Sequence, residues 1–217
     1  SSSCTVYGEP EQMPVAESAP FQRAESPYGW TKQACERVLE DHAAAQGAAH
    51  VALLRYFNPI GAHPSARIGE LPLGVPNNLI PYLTQTAAGI RQRLTVFGND
   101  YPTPDGTCVR DYLHVMDLAE AHVAALKWCK TQASNSSVVR AFNLGTGQGA
   151  SVLEVIQTFE RVTGQQVAHE IGGRRAGDVM AIWADPSTAQ KELAWSTQRD
   201  LATSLQDAWR WQEKLGR

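Results

Sequence analysis

The chain has 217 residues, 43% hydrophobic and 19% charged, with a formal net charge of −3. That length suits one large or two small domains whose core needs no metal or disulfide staple. The charge balance excludes the basic footprint of a nucleic-acid binder and a polybasic membrane patch, and no apolar run approaches the roughly 18 residues of a membrane-spanning helix. Cys4, Cys35, Cys108 and Cys129 are widely spaced with no C-x-x-C pair, which reads as reduced thiols of a cytosolic protein.

Taken in chain order, residues 1–7 read as the end of a strand, and the abrupt opening SSSCTVYG reads as a fragment's start. Ser26-Pro27 is an N-cap followed by proline at the first helical position. The helix it starts runs to Gln46, where Gly47 supplies a left-handed stop, and Cys35, Val38, Leu39 and His42 have the spacing of a buried stripe. Val51–Phe57 reads as a strand, and 58–78 as a long functional loop rich in proline and glycine. A second helix is expected over 78–90, a strand over 94–97 and a turn-rich stretch at GNDYPTPDG. A helix over 117–130 follows, then the exposed connection QASNSS and a strand over 138–144. Ser151 and Glu154 form a capping box ahead of a helix face of Val152, Val155, Ile156, Phe159 and Val162, stopped by Gly164. A short helix after Asp185-Pro186 and a last one near 200–214 complete an α/β pattern with a mainly parallel sheet.

Tyr28 and Lys32 stand one helical turn apart and share a face. A phenol is a poor base at neutral pH, and a neighbouring ammonium favours its ionised form. The pair alone is common on helix surfaces; Ser3, at the end of the preceding strand, adds a hydroxyl to it. Arg174, Arg175 and Asp178 sit in GGRRAGD, where guanidinium forks suit phosphate and a carboxylate suits a sugar hydroxyl; a solvated turn with surface ion pairs is the alternative. Arg110 and Asp111 could equally form a salt bridge, and Asn77-Asn78 could cap the following helix. Gly145-x-Gly147-x-x-Ala150, with Glu170 downstream, matches the dinucleotide fingerprint formally, but Arg140 and Asn143 in the strand before it are unlike a doubly buried first strand. These glycines read as a tight strand-to-helix turn. His63 and His114 read as structural, and Trp209 and Trp211 as packing or interface residues.

The blocks SSSCTVYGEP, SPYGWTK, LLRYFNPIGAHPS, GVPNNLIPY, VFGNDYPTPDGTCVRDYLHVMDLA, FNLGTGQGASVLEV and RRAGD…WAD follow one another along nearly the whole chain. In content and order they resemble the UDP-galactose (UDP-glucose) 4-epimerases of the extended short-chain dehydrogenase/reductase family. Related sugar-nucleotide dehydratases carry an acidic pair before the Tyr-Gly of the first block, where this chain has Cys4-Thr5-Val6-Tyr7.

The resemblance implies an incomplete Rossmann-like sheet with a smaller carboxy-terminal substrate-binding α/β domain. Residues 1–58 would belong to the dinucleotide domain and 59–217 mainly to the UDP-sugar domain, with about 110–145 returning to the first. It implies NAD as cofactor, UDP-glucose and UDP-galactose as substrates interconverted through a 4-keto sugar, a cytoplasmic homodimer formed partly through the Tyr28 helix, and galactose metabolism as the setting. Tyr28 would move the proton of the sugar 4-hydroxyl, Ser3 would bond that oxygen, and Lys32 would bind the nicotinamide ribose. All three would also touch NAD, and Phe57 would pack the nicotinamide end. Asn58, Asn78, Leu79, Thr95 and Phe97 would contact the UDP-sugar. Arg110 and Arg175 would neutralise the diphosphate, and Asp178 would accept from the uridine ribose. Ile182 falls where side-chain bulk bears on N-acetyl sugars, and its intermediate size leaves that open. The cofactor-binding glycine turn of the family lies outside these blocks, so a UDP-sugar binding module or inactive piece is the alternative, and a related nucleotide-sugar epimerase or decarboxylase another.

Overall fold

The computed structural model describes residues 1–133 and 135–216; Ser134, within the expected 132–137 connection, lies outside them. Three parallel strands form the central sheet, with β2 (His50–Tyr56) between β1 (Ser2–Ser3) and β7 (Val138–Leu144). The register runs Ser2↔Arg55 on one side, and from His50↔Val138 to Tyr56↔Leu144 on the other. The expected bounds of β7 hold, and β2 is shifted by one residue.

Helix α1 (Pro27–Gln46) follows its local chemistry. The Ser26 hydroxyl accepts from the Gly29 amide at 3.1 Å, Pro27 occupies the first turn, and Gly47 adopts φ 71°. Its expected buried stripe is a correction. Cys35, Val38, Leu39 and His42 are exposed, whereas Gly29, Gln33, Glu36 and Ala43 are buried. The helix meets the sheet through polar side chains that bond specific partners, so apolar spacing pointed to the wrong face.

Beyond β2 the expected loop contains a three-residue strand, β3 (Asn58–Ile60), paired in parallel with β6 (Tyr112–His114). Helix α2 (Leu79–Ala87) is shorter than expected, because the chain turns at Ala88 and Gly89 takes φ 72°. Strand β4 (Leu94–Phe97) has its expected bounds and pairs with β9 (His169–Gly172). Short β5 (Val109–Arg110) lies between parallel β10 (Ala181–Ile182) and antiparallel β8 (Ala150–Ser151). Helices α3 (Val115–Thr131) and α5 (Ser187–Leu193) cover one face of the central sheet through a core of Leu54, Leu118, Phe142, Leu144 and Trp195. Helix α4 (Val152–Thr163) opens with both halves of the Ser151/Glu154 capping box and ends at left-handed Gly164. It packs with α6 (Leu201–Leu215) over β4 and β6, burying Val155, Ile156, Phe159 and Trp209. The Phe159 and Trp209 rings meet edge to face at 5.7 Å. Among the described residues no helix is long and apolar enough to cross a membrane.

Candidate active site

Two features gather the residues singled out in the sequence. The first is a cavity of about 570 Å³ walled by β3, the start of α2, β4, Arg110 of β5 and the 175–178 segment. Asn58, Asn78, Leu79, Thr95, Phe97, Arg110, Arg175 and Asp178 all line it. The topology brings together every residue expected to contact the UDP-sugar, from segments more than a hundred positions apart. Glu70, Tyr82, Cys108 and Tyr112 also line it and were not anticipated. Tyr112 lies within the quoted VRDYLHVMDLA block, which was the available signal; Glu70 had none.

The walls have a definite electrostatic sense. Asn78 is the N-cap residue of α2, yet its side chain makes no cap hydrogen bond there. Its amide instead donates to Glu70 Oε1 at 2.8 Å. The start of α2 therefore presents backbone N–H groups to the cavity without a side-chain cap, a favourable place for an anion. Arg110 is held by donation to the Val109 carbonyl at 2.9 Å, and its Nη2 lies 4.0 Å from Asp178 Oδ1. Of the two adjacent arginines, Arg174 is engaged elsewhere: its Nε donates to Asp100 at 2.8 Å and its guanidinium stacks 4.2 Å from the Tyr101 ring. Arg175 is the one that lines the cavity. Burial pushes the Tyr112 phenol well above its ordinary value, so it stays protonated at neutral pH and serves as a wall rather than a base.

The expected Arg110–Asp111 alternative is not realised. Asp111 is fully buried and its carboxylate accepts from the Thr146 amide at 2.8 Å, the Thr146 hydroxyl at 2.7 Å, the Gly147 amide at 3.1 Å and the Ala184 amide at 3.1 Å. Burial pushes its carboxyl upward, while these donors pull it back. This also settles the glycine turn. A Cβ on Gly145 would stand 2.5 Å from Asp111 Oδ2, so the glycine makes room for an internal carboxylate and the turn's amides hold that side chain instead of a pyrophosphate. Glu170, the acid downstream, pairs on the surface with Arg93 at 2.8 Å.

The second feature is the corner where α1 meets the carboxyl end of β1. Tyr28 is 54% exposed and Lys32 Nζ lies 5.5 Å from its ring centroid. Lys32 also donates to the Ser1 carbonyl at 3.0 Å. Ser3 is buried at the strand end, its hydroxyl accepting from the Thr5 amide at 3.3 Å. Burial pushes the neighbouring Cys4 thiol up to about 11 and the Tyr7 phenol up to about 12. Phe57 is only 3% exposed, with Cys4, Val6, Tyr7, Val15 and Ile182 as its cluster. It lies beneath this corner, and neither it nor Ile182 lines the cavity. His114 is structural, as expected: it is buried, its Nδ1 accepts from the Met116 amide at 3.0 Å, and Nε2 faces Asp207 at 3.2 Å. Trp209 is core, and Trp211 donates to the Glu70 carbonyl at 2.9 Å.

Comparison with known proteins gives a consistent picture. The family profile described as GDP-mannose 4,6 dehydratase matches residues 1–208. A UDP-glucose 4-epimerase of Bacillus subtilis (strain 168) is 53% identical over 98% of this chain and 61% of its own length. A solved UDP-glucose-4-epimerase from Stenotrophomonas maltophila, with bound NAD and formylated UDP-arabinopyranose, superposes with a TM-score of 0.94 at 51% identity, over 99% of this chain and 62% of that one. The enzyme from Bifidobacterium longum in complex with NAD+ and UDP gives 0.92 at 44% identity, over 99% and 62%. The chain thus spans about three-fifths of the length of the relatives it matches.

Proposed function

Because the chain belongs to the family described as GDP-mannose 4,6 dehydratase, we propose that it supplies the proton-transfer and sugar-nucleotide half of a NAD-dependent UDP-glucose 4-epimerase, interconverting UDP-glucose and UDP-galactose in the whole protein. The observation that carries this reading is the convergence of Asn58, Asn78, Leu79, Thr95, Phe97, Arg110, Arg175 and Asp178 on one cavity. Two guanidiniums and the start of α2 suit a diphosphate, and Asp178 suits a ribose hydroxyl.

NAD, when bound, supplies the hydride acceptor and donor. The residues of this chain do the rest. The Tyr28 hydroxyl takes and returns the 4-hydroxyl proton, Ser3 bonds the same oxygen, and Lys32, which stands over the phenol ring, would hold the cofactor ribose. The corner fits a dinucleotide in one respect: it lies at the carboxyl end of parallel strands, where such ligands sit in open α/β sheets. Epimerisation is favoured over the dehydration in the family's name by what precedes Tyr7. Cys4 is buried and held protonated by its raised value, and no carboxylate stands at Cys4, Thr5 or Val6 to help expel water.

In the same reading, residues 1–58 with 110–145 belong to the dinucleotide domain, and the pairing of β2 with β7 supports that return. The whole protein is a cytoplasmic homodimer formed partly through α1, whose Trp30, Val38 and Leu39 are exposed apolar side chains. For these 217 residues by themselves a second reading, a UDP-sugar binding module, is favoured by the contrast between the formed cavity and the glycine turn already filled by Asp111. The test is a coupled assay of UDP-galactose conversion to UDP-glucose by the whole protein with NAD, and absence of turnover overturns the enzymatic reading. Calorimetry of the 217 residues with UDP and with NAD checks the module: UDP binding alone is expected, and tight NAD binding would refute it.

A further inference from the structure

Helix α1 meets the sheet through a buried charge pair rather than an apolar seam. Glu36 is 1% exposed, and its carboxylate accepts from Arg55 Nε at 3.0 Å, from Arg55 Nη2 at 2.7 Å and from the Ser2 hydroxyl. Arg55 stands opposite Ser2 in the parallel register. Its remaining donor atom, Nη1, reaches the Tyr7 hydroxyl at 2.9 Å and the Glu17 carbonyl at 3.1 Å. Tyr7 in turn donates to Asn143 Oδ1 at 2.6 Å, and Asn143 donates to the Val15 carbonyl at 2.8 Å. One network therefore ties α1 to all three strands of the central sheet.

Burying an ion pair gives little net stability, because desolvation offsets the attraction. What it does supply is direction. Apolar contact is non-directional, whereas a guanidinium fork grips a carboxylate in one plane and at one height. Residues 28, 32 and 36 recur at successive four-residue steps along one side of α1. The rungs match: Glu36 bonds Ser2, and Lys32 bonds the Ser1 carbonyl. A slip of one residue would translate the helix by about 1.5 Å and turn it by about 100°.

Resting on the reading of Tyr28 and Lys32 given above, we infer that Glu36 and Arg55 are positioning residues for the reaction: the pair fixes the rotation and height of α1 against β1, and so where the Tyr28 hydroxyl stands relative to Ser3. Neither belongs to the cavity wall, so their loss acts on the chemical step and not on sugar-nucleotide binding.

The test uses the whole protein. The variant Ser2→Ala/Glu36→Met/Arg55→Met replaces the pair with apolar groups of similar volume and removes the hydroxyl that would lose its acceptor. It is expected to unfold cooperatively and to keep KM within about two-fold, while kcat falls on the order of 100-fold, the scale of a misplacement of about 1 Å. Arg55→Lys keeps the charge but not the fork, and its kcat is expected to fall about 10-fold, between that variant and wild type. If the triple variant does not fold, the kcat and KM of Arg55→Lys decide by the same split. A kcat within about three-fold of wild type in the deciding variant, or a kcat loss matched by an equal loss of UDP affinity, overturns the inference. Tyr28→Phe run alongside separates the two levels. If it is impaired while the triple variant is not, only the positioning role falls; if it is unimpaired, the reading of Tyr28 falls with it.

Discussion

The cavity and the α1 corner lie on the same molecule but are built by opposite means. The cavity draws its walls from segments spread along the chain and is already shaped, with Arg110 held by a backbone carbonyl and a helix start left open to it. The corner presents Tyr28 and Lys32 on an exposed helix face, and its order comes from beneath, through Glu36, Arg55 and Gln33, whose amide donates to the Val6 carbonyl at 2.8 Å. On the proposed reading, binding is specified by convergence of the chain, and proton transfer by the register of one helix. The two should come apart under mutation.

The largest separation is expected from Tyr28→Phe in the whole protein. The epimerisation rate should fall by about 1,000-fold or more, within the range for losing a positioned acid–base group, with the UDP dissociation constant unchanged by calorimetry. A rate within a few-fold of wild type would remove the corner from the chemistry. Arg175→Ala should do the converse, weakening UDP binding by roughly 10- to 100-fold, the scale of one charge-assisted contact, while kcat at saturation changes far less. Equal losses in kcat and kcat/KM would erase the distinction between the two regions.

Gly145→Ala sharpens the comparison from the packing side. The added methyl meets Asp111 Oδ2 at 2.5 Å and the Ala184 methyl at 2.7 Å, and should cost about 1–3 kcal/mol as overpacking, measured by urea unfolding. An unchanged midpoint would mean the turn yields easily. The smallest effect is a pH dependence. Burial holds His114 below its ordinary value of 6.5, so the unfolded chain binds the extra proton first. Its contribution is fully present above about pH 6.5 and is lost as pH falls below that value. His114→Gln should flatten the stability slope on that acid side, and an unaltered slope would assign it to other groups.

Part of this is legible in the sequence alone. The ends of α1 and α4 follow from Ser26-Pro27, Gly47, the Ser151/Glu154 box and Gly164, because caps are chemistry between near neighbours. The bounds of β4 and β7 follow from stretches of strand length rich in β-branched and aromatic residues. Short strands such as β3, β5, β8 and β10 were not legible, since two- or three-residue pairings carry no periodicity of their own. The face α1 buries was misread for a related reason: spacing of Cys35, Val38, Leu39 and His42 reports apolarity, and this helix is seated by hydrogen bonds.

By itself, then, the sequence determined the alternation of helix and strand, the caps, and through its ordered blocks eight of the residues around the cavity. Only the tertiary structure decided that Arg174 turns to Asp100 and Tyr101, that Asp111 fills the glycine turn, and that Glu36 and Arg55 lie under the Tyr28 helix. The reason is physical. Caps and periodicity act over a few residues, whereas the partner of a buried charge is chosen by whichever distant strand the fold brings within 3 Å of it.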